Sequence, residues 1–400
     1  MKTLGNNLVN KAEHIPSSWH LISATEPNFK SSIGAHTINI SLGLLQAEQN
    51  VHVWFGHASG TGMPTDIAKG VTTHALPGGW DEQCFDHLER ELANINGLKR
   101  ILIQYTPDAF GSSLNLPLQD WMEKRHKLGD RIGLVVHRTI SKTGRKLFAP
   151  QRYWKRLKER SKLKKTINLS HEIFVSTPNW IPLLQGLSKP EIKQIIWLPV
   201  PSNVHWVENK QRALNLRKAF APDANAVIGT FGSFYDKGIV KKIRKLIPGL
   251  LASHPERVWL FLGRGSDEFV VQLRKDYPHL ESQLEKAGEL DMAALSAHLQ
   301  ACDIMVQPYP RGVDTSRTSA MVGLSHGKPI ITTLGPNTEV IWEKSSCVKL
   351  VPVQKNDLFI KLIEDLVTST KARDALSKNA IQTYRNFFSL DKCIETLLTT

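Results

Sequence analysis

The sequence predicts an α/β protein built from two doubly wound parallel-sheet domains, and three observations carry that expectation. Short apolar runs such as Ile101-Leu102-Ile103 and Ile304-Met305-Val306 recur along the chain, the pattern of strands buried on both faces. Amphipathic stretches of helical period alternate with them, as crossover helices between parallel strands require. Glycine, hydroxyl and charged residues gather where the apolar runs end, and ligands in such sheets bind outside the carboxyl ends of strands. The length of 400 residues suits two or three domains.

In chain order, Trp19 to Ser23 reads as the first strand. A loop from Ala24 to Ile33 follows, and Gly34 opens a helix with Ile38, Leu42 and Leu45 on one face. Val51 to Phe55 and Val71 to Ala75 are the next strands, and Asp81 is placed to cap a helix running to Ile95. Ile101 to Tyr105 is a buried strand, and Trp121 to Leu128 a helix stopped by Gly129. Ile132 to Val136 is a strand that delivers His137 at its carboxyl end. Ile173 to Ser176 and Ile195 to Leu198 complete the first half.

Pro199, Pro201 and Pro222 mark a polar crossing to the second half. There, Ala226 to Phe231 is a strand ending in the turn Gly232 to Gly238, followed by a helix from Ile239 to Leu251. Val258 to Leu262 is a strand running into Gly263-Arg264-Gly265, and Asp267 to Lys286 reads as helical. A helix from Leu295 to Ala301 precedes the strand 303–307. A loop with Asp314 and the hydroxyls Thr315, Ser316, Thr318 and Ser319 comes next, then a short helix, Ala320 to Leu324, stopped by Gly327 and Pro329. Pro329 to Thr333 and Val348 to Val351 are strands, and Lys355 to Thr400 is helical. The expected organisation is an N-terminal domain over 1–205, a C-terminal domain over 206–385, and a helix over 386–400 placed to cross back to the N-terminal domain.

Net charge is +14. The run Arg152 to Lys165 carries eight basic residues and one acid, so half of that charge is local. Such a surface attracts phosphates, nucleic acid or an anionic membrane face. A solvated helix face explains the run as well. With Tyr153, Trp154, Leu157 and Leu163 interleaved it also suits a helix lying on a membrane surface. No aromatic platform for single-stranded nucleic acid is evident, which ranks that partner last. The four cysteines lie far apart without metal-ligand spacing, which suits a reducing cytoplasm. The first twenty residues lack a signal-peptide core, and no apolar run is long enough to span a bilayer. The expected location is therefore cytoplasmic, with the basic run a candidate contact to the inner face of a membrane.

The loop between the strands at 303–307 and 329–333 is the first candidate site. A strand ending in a loop that opens a helix offers free backbone N–H groups and a positive dipole end. The hydroxyls of Thr315, Ser316, Thr318 and Ser319, with Arg317, add side-chain donors, so the loop suits the diphosphate of a nucleotide; an ordinary capped helix start has the same look. Gly34 and Gly232-Ser233 are turns where backbone can approach a phosphate, and Lys237 adds a point charge at the second of these. Gly263 and Arg264 stand at the next strand end, where a flat group could approach. His137 and Asp314 suit sugar hydroxyls, although a lone histidine or a turn aspartate is often structural. No metal site, P-loop, HExxH or nucleophile elbow is present.

From Val227 to Trp342 the chain resembles the retaining GT-B glycosyltransferases of the glycogen-synthase-like superfamily, the group 1 glycosyltransferases. The signs are VIGTFGSFYDKG, VWLFLGRG, AGELD, the stretch LQACDIMVQPYPRGVDTSRTSAMVGLSHGKPIITTLG and NTEVIW, with looser likeness in SSIGAHTINISLGLL, ILIQYTPDAFG and GLVVH. The resemblance implies two Rossmann-like domains facing across a cleft, a nucleotide-sugar donor as co-substrate with no other cofactor, and a glycan or lipid-linked glycan acceptor. It places Lys237 and Gly34 at the donor diphosphate, His137 at the transferred sugar, and Gly288 to Leu290 at the base. Four departures accompany it. Ser233 stands where an arginine is usual, and Arg138 follows His137 where glutamate is common. The superfamily's paired glutamates fall on Asp314 and Val322. The first arginine of a double-arginine loop is Ser316, leaving Arg317. Two other outcomes stay open: a transferase that modifies nucleic acid, and a sugar-nucleotide-binding relative weakened by the changes at 316 and 322.

Overall fold

The structure, a computed structural model, describes residues 18–28, 31–57, 67–107, 110, 116–139, 150–189, 194–222 and 226–400. Strands β1 (Ser18–Ser23), β2 (Asn50–His57), β3 (Val71–Pro77), β4 (Lys99–Tyr105), β5 (Arg131–Val136), β6 (Glu172–Val175) and β7 (Ile195–Trp197) form a parallel seven-stranded sheet in the order β3-β2-β1-β4-β5-β6-β7. Strands β8 (Ala226–Phe231), β9 (Arg257–Leu262), β10 (Leu284–Lys286), β11 (Ile304–Gln307), β12 (Ile330–Leu334) and β13 (Lys349–Pro352) form a parallel six-stranded sheet in the order β10-β9-β8-β11-β12-β13. Both are doubly wound, as the sequence predicts. Strand order reverses between β1 and β4 in one sheet and between β8 and β11 in the other. Those reversals are the switch points at which crevices open.

The chain forms two compact units. One comprises Leu44–Ile173 with β1, and the other Asn28–Gly43 with Phe174–Thr400. In the first, neighbouring strands stack polar rings inside the sheet. Trp54 Nε1 donates to His20 Nδ1 at 3.0 Å, His20 Nε2 lies 2.8 Å from Ser18 Oγ, and His52 Nδ1 lies 3.0 Å from His74 Nε2. The His20 and His52 rings stack at 4.8 Å and the Trp54 and His74 rings at 3.7 Å. Burial, with the neighbouring His52, Lys99, His74 and Arg125, depresses His20 to about 2; burial and His52 bring His74 to about 4.

The basic run belongs to the helix Pro150–Asn168. Leu163 and Ile167 are buried, whereas Trp154 is 62% and Leu157 40% exposed, and Lys158, Arg160 and Lys164 are also exposed. Lys165 turns from that face to pair with Asp120 and Glu123, each at 3.2 Å. The side chains of Arg152, Tyr153, Lys155 and Arg156 lie outside the described residues.

In the second unit both sheet faces are covered, which is why its strands read as continuous apolar runs. Trp259 and Phe261 of β9 pack with Ile243, Leu246 and Ile247 of the helix Lys237–Leu251 on one face. Val258, Leu260 and Leu262 pack with Met321, Val322 and Leu324 of the helix Thr318–Ser325 on the other. The helix Ser32–Gln46 rests against the last helix, Leu390–Leu398: a Cβ on Gly43 would lie 2.5 Å from Ile394 Cγ1.

Several local expectations need correction. The stretch 267–286 is not one helix. The helix Ser266–Asp276 stops before Pro278, which has no N–H to continue it, and Leu284–Lys286 becomes the edge strand β10 with Leu284 buried. The crossing segment contains a helix, Lys210–Phe220, capped by Asn209 through the Arg212 N–H at 2.9 Å. The C-terminal stretch divides into Asn356–Thr368, Thr370–Thr383 and Leu390–Leu398, with Ser369 and Ser389 as N-caps of the last two. The four cysteines are buried free thiols. Among the described residues no helix is long and apolar enough to cross a membrane, and no group of acids, histidines and cysteines could hold a metal ion.

Candidate functional site

A cavity of about 600 Å³ in the second unit opens where β8, β9, β10 and β11 end. Glycines let these ends converge. Gly263 has φ +107°, donates its N–H to Gly288 O at 2.9 Å, and leaves no room for a side chain, since a Cβ would meet Gly232 O at 2.3 Å. Gly288, at φ +57°, donates its N–H to Ser266 Oγ at 3.1 Å. The cavity is thus walled by close-packed backbone on the β9–β10 side.

Opposite lies the loop after β11. Asp314 is buried, and its Oδ1 accepts from the Ser316 N–H at 3.1 Å and from the Ser316 hydroxyl. Its Oδ2 lies 3.5 Å from Arg317 Nε, an ion pair without hydrogen-bond geometry. This turn sets Arg317 at the N-cap of Thr318–Ser325, where no side chain caps the helix. The Ala320 N–H donates to Arg317 O at 2.9 Å, so the Thr318 and Ser319 amides and the dipole end are left for an outside acceptor. The helix Lys237–Leu251 differs: Asp236 Oδ1 caps it, accepting from the Gly238 and Ile239 N–H groups at 2.8 and 3.2 Å. Arg317 lies 4.9 Å above the Tyr309 ring, and the Tyr309 hydroxyl lies 2.7 Å from Ser319 Oγ. Burial pushes the Tyr309 phenol up to about 12.

Glu339 holds this loop from behind. Its Oε1 accepts from the Thr177 hydroxyl at 2.5 Å and from the Thr315 N–H at 3.1 Å, with Thr315 Oγ1 at 2.9 Å. Its Oε2 accepts from Trp342 Nε1 at 3.0 Å. Thr315 Oγ1 also lies 2.9 Å from Ser176 O. Burial outweighs these donors and raises the Glu339 carboxyl above the usual range. Sequence reasoning assigned Glu339 no role. The one available signal was an acid leading the apolar Val340-Ile341-Trp342.

The structure brings Gly232, Ser233, Gly263, Arg264, Gly288, Leu290, Ser316, Arg317 and Thr318 into the cavity wall. Ser319, the fourth hydroxyl of the loop, shares that wall, as do Tyr309, Gln307 and Asn203, which the sequence reading does not single out. Five candidates stand elsewhere. Thr315 is buried, with its N–H and hydroxyl engaged as above, and Asp314 faces its own loop. Lys237 is exposed at the start of its helix, beside the wall residue Asp236. Gly34 lies buried in the helix Ser32–Gln46, with its N–H bound to Ser31 Oγ at 3.3 Å; Ser32 of the same helix reaches the wall. His137 belongs to the first unit, where its Nε2 sits 2.6 Å from Gln104 Oε1 at the carboxyl end of β5. Val322 is fully buried in the layer beneath the cavity loop, among apolar neighbours.

No family model and no curated protein matches the sequence. Solved structures do match the fold. Sucrose-phosphate synthase from Thermosynechococcus elongatus is 13% identical, with a TM-score of 0.69 over 96% of this chain and 98% of that one. WaaG, a glycosyltransferase involved in lipopolysaccharide biosynthesis, is 12% identical, with a TM-score of 0.68 over 94% of this chain and 98% of that one. Anabaena HepE, in a complex with UDP and glucose, is 13% identical, with a TM-score of 0.65 over 96% of this chain and 99% of that one. At such identities the likeness is one of architecture, and the chain has the GT-B fold of these glycosyltransferases.

Proposed function

We propose that this protein is a glycosyltransferase of the group 1 type. It moves a sugar from a nucleotide-diphosphate sugar to a glycan or lipid-linked glycan, with retention at the anomeric carbon and without a metal. One observation carries the reading: an uncapped helix start, two arginines (Arg264 and Arg317) and the hydroxyls of Ser233, Ser316, Thr318 and Ser319 converge on one cavity. Neighbours of the same fold were crystallised with UDP and UDP-glucose, which supports a donor of this class.

In this reading the bond from the anomeric carbon to the diphosphate oxygen breaks as an acceptor hydroxyl oxygen bonds to that carbon on the same face, its proton passing to the departing diphosphate, on which charge develops. Arg317, the amides at the start of Thr318–Ser325 and Lys237 stabilise that charge, so cations of the chain do the work a metal does elsewhere. Gly288 to Leu290 face the base, and His137, oriented by Gln104, is assigned to the transferred sugar. Calorimetric titration with UDP, GDP, ADP and dTDP tests the site. At least one binds, and Arg317→Ala weakens it at least tenfold. Near-normal binding and turnover in Arg317→Ala and Lys237→Ala alike would remove the assignment.

The exposed Trp154 and Leu157 beside Lys158, Arg160 and Lys164 support an acceptor presented on an anionic membrane face, and a cytoplasmic enzyme that visits it. Flotation with vesicles containing phosphatidylglycerol checks this. Reversing the charge at 158, 160 and 164 abolishes flotation, and binding unaffected by the change would refute the contact.

A further inference from the structure

We propose that Tyr309 is the positioning residue of the anion site, acting through Arg317 and Ser319; the proposal rests on the nucleotide-sugar reading above. Tyr309 is 1% exposed, and its backbone is held by β12 through the Thr333 hydroxyl, which donates to Tyr309 O. The ring is thus part of the core, beneath the stretch of cavity wall that it shares with both of its neighbours. Its face supports the Arg317 guanidinium at 4.9 Å, and Asp314 Oδ2 holds the same group from the side at 3.5 Å. An arginine at a loop end otherwise samples many rotamers, so a stacked platform reduces what is lost on meeting an anion.

The ring's edge does a second job. Its hydroxyl, 2.7 Å from Ser319 Oγ and kept protonated by burial, can donate to that oxygen, which leaves the Ser319 proton for a ligand oxygen. A Cβ on Gly232 would lie 3.9 Å from Ser319 Cβ, so this serine sits directly against the β8 turn. One buried side chain therefore aims two donors from two directions at the same space.

Two double-mutant cycles on the full chain test this, read as the Kd for UDP, GDP, ADP, dTDP and inorganic pyrophosphate. Tyr309→Phe keeps the platform and loses the hydroxyl, weakening binding about 5-fold, as loss of one hydrogen bond does. Tyr309→Leu loses both, weakening it roughly 20-fold or more. In an Arg317→Ala background the Leu variant falls back to the Phe value, and in a Ser319→Ala background the Phe variant has no further effect. If Tyr309→Leu does not fold, the Phe and Ser319 cycle alone decides. Independent, additive losses in a wild type that binds overturn the positioning role only. A wild type that binds none of the five overturns the nucleotide reading, and this proposal with it.

Discussion

Replacing Glu339 with alanine leaves three donors without their acceptor beneath the cavity loop: the Thr315 N–H, the Trp342 indole N–H and the Thr177 hydroxyl. Glu339 is 6% exposed, so water reaches these groups poorly. Each unsatisfied buried donor costs about 1–3 kcal/mol, and partial relaxation brings the sum to about 3–5 kcal/mol. For a unit of this size that lowers the melting temperature by roughly 6–20 °C. Calorimetric scans should show the loss. Glutamine at 339 should recover part of it, since its carbonyl still accepts while its amide faces the Thr315 donor. A pH dependence follows as well. The folded carboxyl titrates above its unfolded value, so its contribution is fully present at low pH and is lost as pH rises from the usual carboxylate range through the raised value. The glutamine variant lacks that slope. An alanine variant melting within about 2 °C of wild type would refute the account, because the donors would then have found other partners.

Gly263→Ala forces a Cβ to 2.3 Å from Gly232 O at φ +107°, so it should lose at least about 2 kcal/mol of stability and most UDP affinity; thermal shift with and without UDP reads both. Val322→Glu, which restores the acid of the resembling family, buries an uncompensated carboxylate and should cost about 3 kcal/mol or more, measured by urea unfolding. A well-folded Val322→Glu protein would show that the position tolerates charge. His20 is buried neutral, with its folded value well below the ordinary 6.5. Its contribution is therefore present above pH 6.5 and should fall by up to about 1.4 kcal/mol per pH unit below it. A His20→Gln variant whose urea midpoint follows the same acid slope as wild type would refute this.

The parts of the fold that announce themselves in the sequence are those with strong periodicity. Strands buried on two faces, such as β9 and β11, show as uninterrupted apolar runs, and the doubly wound class follows from their alternation with helices. Edge elements do not show. Leu284–Lys286 is three residues long and continues a helical pattern, so only its neighbour β9 makes it a strand. The site divides similarly. Glycine turns and the hydroxyl loop are local features, and the cavity gathers most of them. Tyr309 acts through Arg317 and Ser319 further along its loop, and Glu339 through Thr315 and Thr177, 24 and 162 positions before it, and nothing in local spacing distinguishes a tyrosine that stacks on Arg317 from one that fills a core. Thr315 shows the reverse. Its place in a hydroxyl-rich loop suggests an outward donor, yet its donors are engaged by Glu339, which stands 24 positions later.

The contact between Gly43 and Ile394 has a consequence for the order of assembly. The helix Ser32–Gln46 is made early, but the surface it rests on is completed only when residues about 350 positions later have been synthesised. Until then its apolar face lacks its native cover, which makes this stretch a natural client for a chaperone on the ribosome.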